Sequence, residues 1–250
     1  MVRIRPLDLY NLHGDSTLSL SEIWAGNMDP ASRRAWTEIV TPEDYEQHMA
    51  AVGQAQAAAS LTRSLLGAAA LPARSRVSIV GAGTGQMLDY LDARVLRPFR
   101  LTFTDLNPTF LEVLRSRLTR RRLTATVIED DLERTRLAAA PDLVLASLVL
   151  EHIDWRVGVK ALAGLRPRLC GLVLQENPPG METAVTPGRK LPPSMAKGMA
   201  IAHPTLIPRD QVIEAMARAK FRCRFAETVA VADDKRLVGL LFQNSRATPR

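Results

Sequence analysis

Three glycines at alternate positions, Gly81, Gly83 and Gly85, break the apolar run Val77-Ser78-Ile79-Val80, and such a loop can bring backbone against an adenosine-bearing cofactor. Glycine reaches backbone conformations closed to other residues and has no Cβ to hold a ligand away. A nicotinamide fingerprint places its third glycine three positions after the second, where this chain has Gln86, so the spacing disfavours a dehydrogenase. Asp105 closes a second apolar run, Leu101-Thr102-Phe103-Thr104, about 20 residues beyond the loop, the distance at which one strand-helix-strand unit delivers an acid to a ribose. Asp130 and Asp131 close a third run, and Glu151 and His152 follow a fourth. An imidazole is tunable near neutrality, which makes His152 the first candidate for a general base, with Glu151, Glu176 and His203 behind it. Cys170 and Cys223 lie in apolar, strand-like surroundings and read as buried thiols. No Cys-x-x-Cys or His-rich spacing suggests zinc, so no metal is expected.

These groups can meet only if the chain alternates strand and helix. Apolar runs predict strands near 76–80, 101–105, 125–129, 142–147, 169–175, 224–231 and 236–242, with helices near 86–96, 108–119, 155–166 and 208–220 between them. That alternation is the pattern of a mostly parallel sheet covered on both faces, whose ligands gather at the carboxyl ends of the strands. The short Ala232-Asp233-Asp234-Lys235 turn can join only antiparallel neighbours. Asn107-Pro108 reads as an N-cap followed by proline in the first turn, which leaves Asp105 free to face the crevice. Thr41-Pro42-Glu43-Asp44 starts a further helix in the same way, and the alanine-rich segment from Tyr45 to Ala70 supports one or two helices. The Arg246-to-Arg250 tail reads as frayed.

The compact Gly81-Ala82-Gly83-Thr84-Gly85 loop resembles motif I of the class I S-adenosylmethionine (SAM) dependent methyltransferases, and the resemblance extends over most of residues 76–242. It implies a Rossmann-like, doubly wound α/β fold with a seven-stranded, mostly parallel sheet whose last strand is antiparallel. On this reading residues 73–245 form the methyltransferase-like domain, residues 1–72 an N-terminal helical extension, and residues from about 177 to 207 an inserted lid with several methionines and helix breakers. The resemblance assigns cofactor contacts to Gly81, Ala82, Gly83, Gly85, Asp105, Leu106 and Leu148, and places Asp130 or Asp131 near the adenine amino group. Family members often fold helices before the sheet over the cofactor, where this chain has Trp36, Tyr45, His48, Met49 and Gln54. Tyr45, His48 and Met49 share one helical face by spacing, a pattern that core packing also produces. The family carries an acid two positions before the first glycine. Here that position is Ile79, and the cofactor's amino group falls to backbone carbonyls near Gly81 or to another acid.

The expected activity is transfer of a methyl group from SAM to an oxygen or nitrogen of a small-molecule acceptor. Two alternatives stay open: a non-catalytic SAM-binding or regulatory protein, motivated by Ile79, and an RNA methyltransferase, motivated by a net charge of +7. Arg115, Arg117, Arg120, Arg121 and Arg122 cluster at the end of one helix, where cations complement the dipole, and read as a solvated face with no interleaved aromatics to stack bases. The string Asn177-Pro178-Pro179-Gly180 resembles the motif of amino-methylating DNA and RNA enzymes, but lacks its aromatic and follows the fifth strand where that motif follows the fourth. A nucleic-acid partner is therefore not expected. With 46% hydrophobic and 24% charged residues the 250-residue chain can bury a full core. No run approaches the roughly 20 apolar residues of a membrane span, so a cytoplasmic protein is expected, as monomer or homodimer.

Overall fold

The computed structural model describes residues 28–246, and the part of the expected extension before Met28 and the tail after Arg246 lie outside it. Seven strands, β1 (Arg76–Val80), β2 (Arg100–Asp105), β3 (Ala125–Glu129), β4 (Leu143–Ser147), β5 (Leu169–Glu176), β6 (Phe221–Ala230) and β7 (Arg236–Asn244), form one sheet in the order β3-β2-β1-β4-β5-β7-β6. All pairings are parallel except those of β7, which runs antiparallel to both β5 and β6, as the resemblance implies. The sequence of each strand matches its place. Inner strands β4 and β5 are buried along almost their whole length, while edge strand β6 alternates buried with accessible residues, because only one of its faces meets the core.

Helices cover both faces. On one, α3 (Gln54–Ala69) and α4 (Pro108–Arg120) pack Leu61, Leu65, Leu111 and Leu114 against Val77, Ile79 and Phe103. On the other, α5 (Trp155–Gly164) and α7 (Arg209–Arg218) pack Val159, Leu162, Val212 and Met216 against Val144, Leu172 and Val238. Asn107 caps α4 as expected, its Oδ1 accepting from Thr109 N at 2.8 Å and Phe110 N at 3.2 Å. The alanine-rich segment makes two helices, α2 (Pro42–Ala51) and α3, separated at Gly53, which takes φ +72°.

Three expectations are corrected. Residues 86–96 form two short 3-10 turns, Gln86–Asp89 and Ala93–Val95, in place of one helix. Asp92 accepts from Arg94 N at 2.9 Å and so starts a second turn where the first would have had to continue. Within the irregular stretch expected at 177–207, helix α6 (Pro193–Ala202) forms, with Pro193 in its first turn. A Cβ on Gly198 would fall 2.3 Å from Val40 Cγ2, so the residue that reads as a helix breaker is what lets α6 lie against the segment after α1 (Pro30–Arg34). Lastly, Arg117 is not on a solvated face: it is only 4% exposed. Its Nε donates to Asp89 at 2.9 Å, its Nη2 reaches Glu46 at 2.9 Å and its Nη1 donates to the Thr84 carbonyl. Cys170 and Cys223 are both free thiols, the first buried and the second half-buried. Among the described residues there is no cluster of metal-ligating side chains and no helix long and apolar enough to cross a membrane.

Candidate active site

The glycine loop leaves β1 with Gly81 at φ +59° and Gly83 at φ +57°, a region that costs residues with a Cβ. Space is equally restrictive, since a Cβ on Gly81 would sit 2.1 Å from Val149 Cγ2 and one on Gly83 would sit 3.1 Å from the Tyr45 hydroxyl. Asp105, at the end of the neighbouring strand β2, holds this loop open. Its Oδ2 accepts from Gly83 N at 2.7 Å and its Oδ1 from Asn107 N at 2.9 Å. Burial pushes the Asp105 carboxyl up from its ordinary value and these amides pull it back down. A carboxylate has about four lone-pair sites, so two backbone donors leave acceptor capacity facing the cleft.

The exit of β4 forms the next wall. Leu148 adopts φ +55° with its N–H on the Val173 carbonyl, and a single 3-10 turn, Leu150–His152, follows. Glu151 is 4% exposed; its Oε1 accepts from Gln175 N at 2.9 Å, and its Oε2 is buried with no protein partner. Burial raises its carboxyl to about 7. The same burial lowers the His152 imidazole to about 4, and its Nδ1 also lacks a partner. A neutral imidazole and a carboxyl poised near neutrality thus stand side by side.

Residues ahead of the sheet close the cleft. A π turn, Ala35–Ile39, carries Trp36 over the edge of His152, with ring centroids 4.5 Å apart. Trp36 Nε1 is a third buried polar atom without a protein partner. Tyr45 on α2 packs between Trp36 and Phe110, and its neighbour Glu46 meets Arg117, which binds the glycine loop at Thr84. Arg117 therefore ties α2, the loop and the turn at Asp89 together beneath the cleft.

Of the sequence-expected cofactor residues, Gly81, Gly83, Asp105, Leu106, Asp130, Asp131 and Leu148 line this one cleft, as do Glu151 and His152. Ala82 and Gly85 do not: Ala82 packs against the core with its N–H on the Thr104 carbonyl, and Gly85 lies against Leu114. Asp130 accepts from Thr135 Oγ1 at 2.6 Å and Arg136 N at 2.9 Å, while Asp131 accepts from Glu133 N at 3.0 Å and pairs with Arg33. Glu176 is taken by Arg209, and His203 ends α6 away from the lining. Trp36, Tyr45, His48, Met49 and Gln54 all line the cleft, together with Met195 and Met199 of α6. Gln175, which opens the stretch expected as an inserted lid, and Arg189 within it line the cleft too. Sequence reasoning missed Lys235, which lies in a hairpin turn with no motif to mark it.

Residues 77–169 match the family model of a methyltransferase domain, which spans the glycine loop, Asp105, the Asp130-Asp131 pair and the exit of β4. That segment is a methyltransferase domain. No curated protein sequence matches the chain. The fold of this methyltransferase is shared with magnesium protoporphyrin IX methyltransferase from Synechocystis PCC 6803, solved with bound S-adenosylhomocysteine (SAH): TM-score 0.57, 13% identity, 93% of this chain and 90% of that one. It is shared with geranyl diphosphate C-methyltransferase from Streptomyces coelicolor A3(2) at TM-score 0.55 and 10% identity over 74% and 80% of the two chains. The [4+2]-cyclase SpnF is similar at TM-score 0.58 and 16% identity over 76% and 82%. A C-methyltransferase and a cyclase among these neighbours mean that fold likeness leaves the reacting atom open.

SAM, the cofactor of this domain, fits the residues present. The positive-φ glycines leave backbone accessible, and Asp105 keeps lone pairs toward the cleft. Ile79 is 2% exposed inside the core, so it takes no part in holding the cofactor's amino group.

Proposed function

We propose that this methyltransferase moves the methyl group of SAM to an oxygen or nitrogen of a small-molecule acceptor. The observation that carries the reading is the set of three buried polar atoms without protein partners, Trp36 Nε1, Glu151 Oε2 and His152 Nδ1, on the wall of the cleft that holds the glycine loop. Unpaired buried polar groups are costly and are normally satisfied by protein or water, so a cluster of them in a cleft supports a ligand with matching donors and acceptors. The sulfonium supplies the reactive methyl when SAM is bound. The chain's own residues orient and desolvate.

On this proposal the Gly81 and Gly83 backbone, Asp105, Leu106 and Leu148 border the cofactor, with Asp105 on the ribose and Asp130 or Asp131 on the adenine side. Trp36, Phe110, Met195 and Met199 enclose the apolar part of the acceptor and exclude water. A base works best when its pKa lies near the working pH. Glu151, raised to about 7, meets that condition better than His152, lowered to about 4, so Glu151 accepts the acceptor's proton and His152 positions the acceptor as a neutral hydrogen-bonding group. The test is calorimetric titration with SAM and SAH, followed by a screen of hydroxylated and amino metabolites for SAH release. SAH release with methyl on oxygen or nitrogen is expected; absence of binding of either compound, or methyl found on carbon, overturns the proposal.

A further inference from the structure

Beyond the catalytic groups, the cleft has a second polar end. His48, Arg189, Asp233 and Lys235 all line it. The four come from three elements. His48 lies on α2 one turn after Tyr45, hence roughly 5 Å further along the axis from the contact with Gly83. Arg189 belongs to the stretch between β5 and α6. Asp233 and Lys235 belong to the β6-β7 hairpin, whose two central residues, Asp233 and Asp234, take φ +63° and +55°, the left-handed pair that a tight hairpin turn requires. Because Glu176 pairs with Arg236 across β5 and β7, this hairpin stands at the carboxyl edge of the sheet, beside the exit of β5.

The charges there do not cancel. Asp233 is consumed by Arg189, which donates through both Nε and Nη2, and by the Thr186 hydroxyl. Lys235 has no such partner: it is 6% exposed, its Nζ donates to the Ala184 carbonyl at 2.6 Å, and among the described residues it forms no ion pair within 4.0 Å. An ammonium offers three donors, so two remain for something else. Burial pushes the lysine below its ordinary value, with Asp233 opposing and Arg189 adding to that fall. Burial first, then the neighbouring Arg189 and Lys235, lower the His48 imidazole from its ordinary value. A buried cation without a counterion is the arrangement that proteins avoid unless a ligand supplies the missing charge.

We infer that the acceptor carries a carboxylate, seated against Lys235 at the end of the cleft away from the glycine loop, with His48 beside it. One uncompensated positive charge matches one negative charge, whereas a phosphate dianion would bring surplus negative charge against Asp233. The inference rests on the small-molecule reading of the site and narrows it to acids. It also gives the acceptor two fixed ends, the anion at Lys235 and the nucleophile at Glu151, so the distance between them selects among acids.

The test uses the full chain loaded with SAH and a probe panel of hydroxy- and amino-substituted aromatic and aliphatic carboxylates, their primary amides, and the matching phosphate monoesters. Titration calorimetry is expected to show at least one carboxylate bound tenfold or more tightly than its amide and its phosphate counterpart. In Lys235→Met this preference should fall below threefold with SAH affinity unchanged, and in Lys235→Arg it should persist. The inference is overturned if amides bind as tightly as acids in the unmodified protein, if phosphate esters bind best, if Lys235→Met keeps the preference, or if SAH binds and no carboxylate does. Failure of SAH itself to bind would instead strike at the methyltransferase reading. The comparison of acids with amides in the unmodified protein stands even where a variant does not fold.

Discussion

Glu151 predicts an unusual variant, one that gains stability and loses function. Its carboxyl titrates at about 7 in the folded protein against an ordinary 4.5, because burial disfavours the charge. Between those values the folded state holds a proton that the unfolded state has released, so this group's contribution to stability falls as pH rises from 4.5 through 7. A shift of that size corresponds to about 3 kcal/mol. Glu151→Gln removes the charge and keeps the shape, and an amide oxygen can still accept from Gln175 N, now 2.9 Å away. The variant should match the parent near pH 4.5 and exceed it by up to about 3 kcal/mol at pH 8, or about 6–12 °C in Tm for a chain of this size. Urea denaturation of the cofactor-free protein at both pH values measures this directly. A pH-independent difference, or a variant less stable at pH 8, would refute the premise that burial of this carboxylate is uncompensated. If Glu151 is also the proton acceptor, turnover should fall by about 10²–10⁴ while SAM affinity holds.

Arg117→Met should destabilise the fold by about 2–4 kcal/mol, since it strands the Thr84 carbonyl and two carboxylates, with Glu46 and Asp89 partly rescued by their exposure; urea unfolding that shifts by under 1 kcal/mol would return this residue to the surface. Asp105→Asn replaces an acceptor-only group that binds two backbone amides, and SAM affinity should drop about 10–100-fold by calorimetry; an unchanged Kd removes Asp105 from the cofactor site. His152→Phe should flatten acid sensitivity: burial lowers the imidazole to about 4, so the parent loses stability as pH falls from 6.5 toward 4, and a variant with the same slope in that window would contradict the assignment.

The sheet was legible because its signal is local and repeated. Apolar runs ending in Asp105, in the Asp130-Asp131 pair and before Glu151 give each strand's carboxyl end, and that end is where the fold gathers its ligands. The capping residues Thr41 and Asn107 were legible for the same reason, being short-range chemistry written in adjacent positions. Arg117 was not, because one arginine among five looks alike in sequence and only the fold decides which of them meets Glu46, some 70 residues earlier. Lys235 was hidden differently: a lysine in a four-residue turn is ordinarily solvated, and here its ammonium donates to the Ala184 carbonyl, on a segment with no regular pattern of its own. The 3-10 turns after the glycine loop escaped because the Leu88, Leu91 and Leu96 positions that bury them fit a helix nearly as well.

The π turn at Ala35–Ile39 gives the cleft a form of tuning that needs no change of side-chain chemistry. Such a turn holds one residue more than a regular helix would, and a helix advances about 100° per residue. Removing that surplus residue would rephase everything before it, swinging Trp36 off the edge of His152 and opening the wall that Nε1 now guards. Single-residue insertion or deletion in one short turn would therefore reset this wall of the cleft, and with it the Arg33–Asp131 pair, while the glycine loop stays in place.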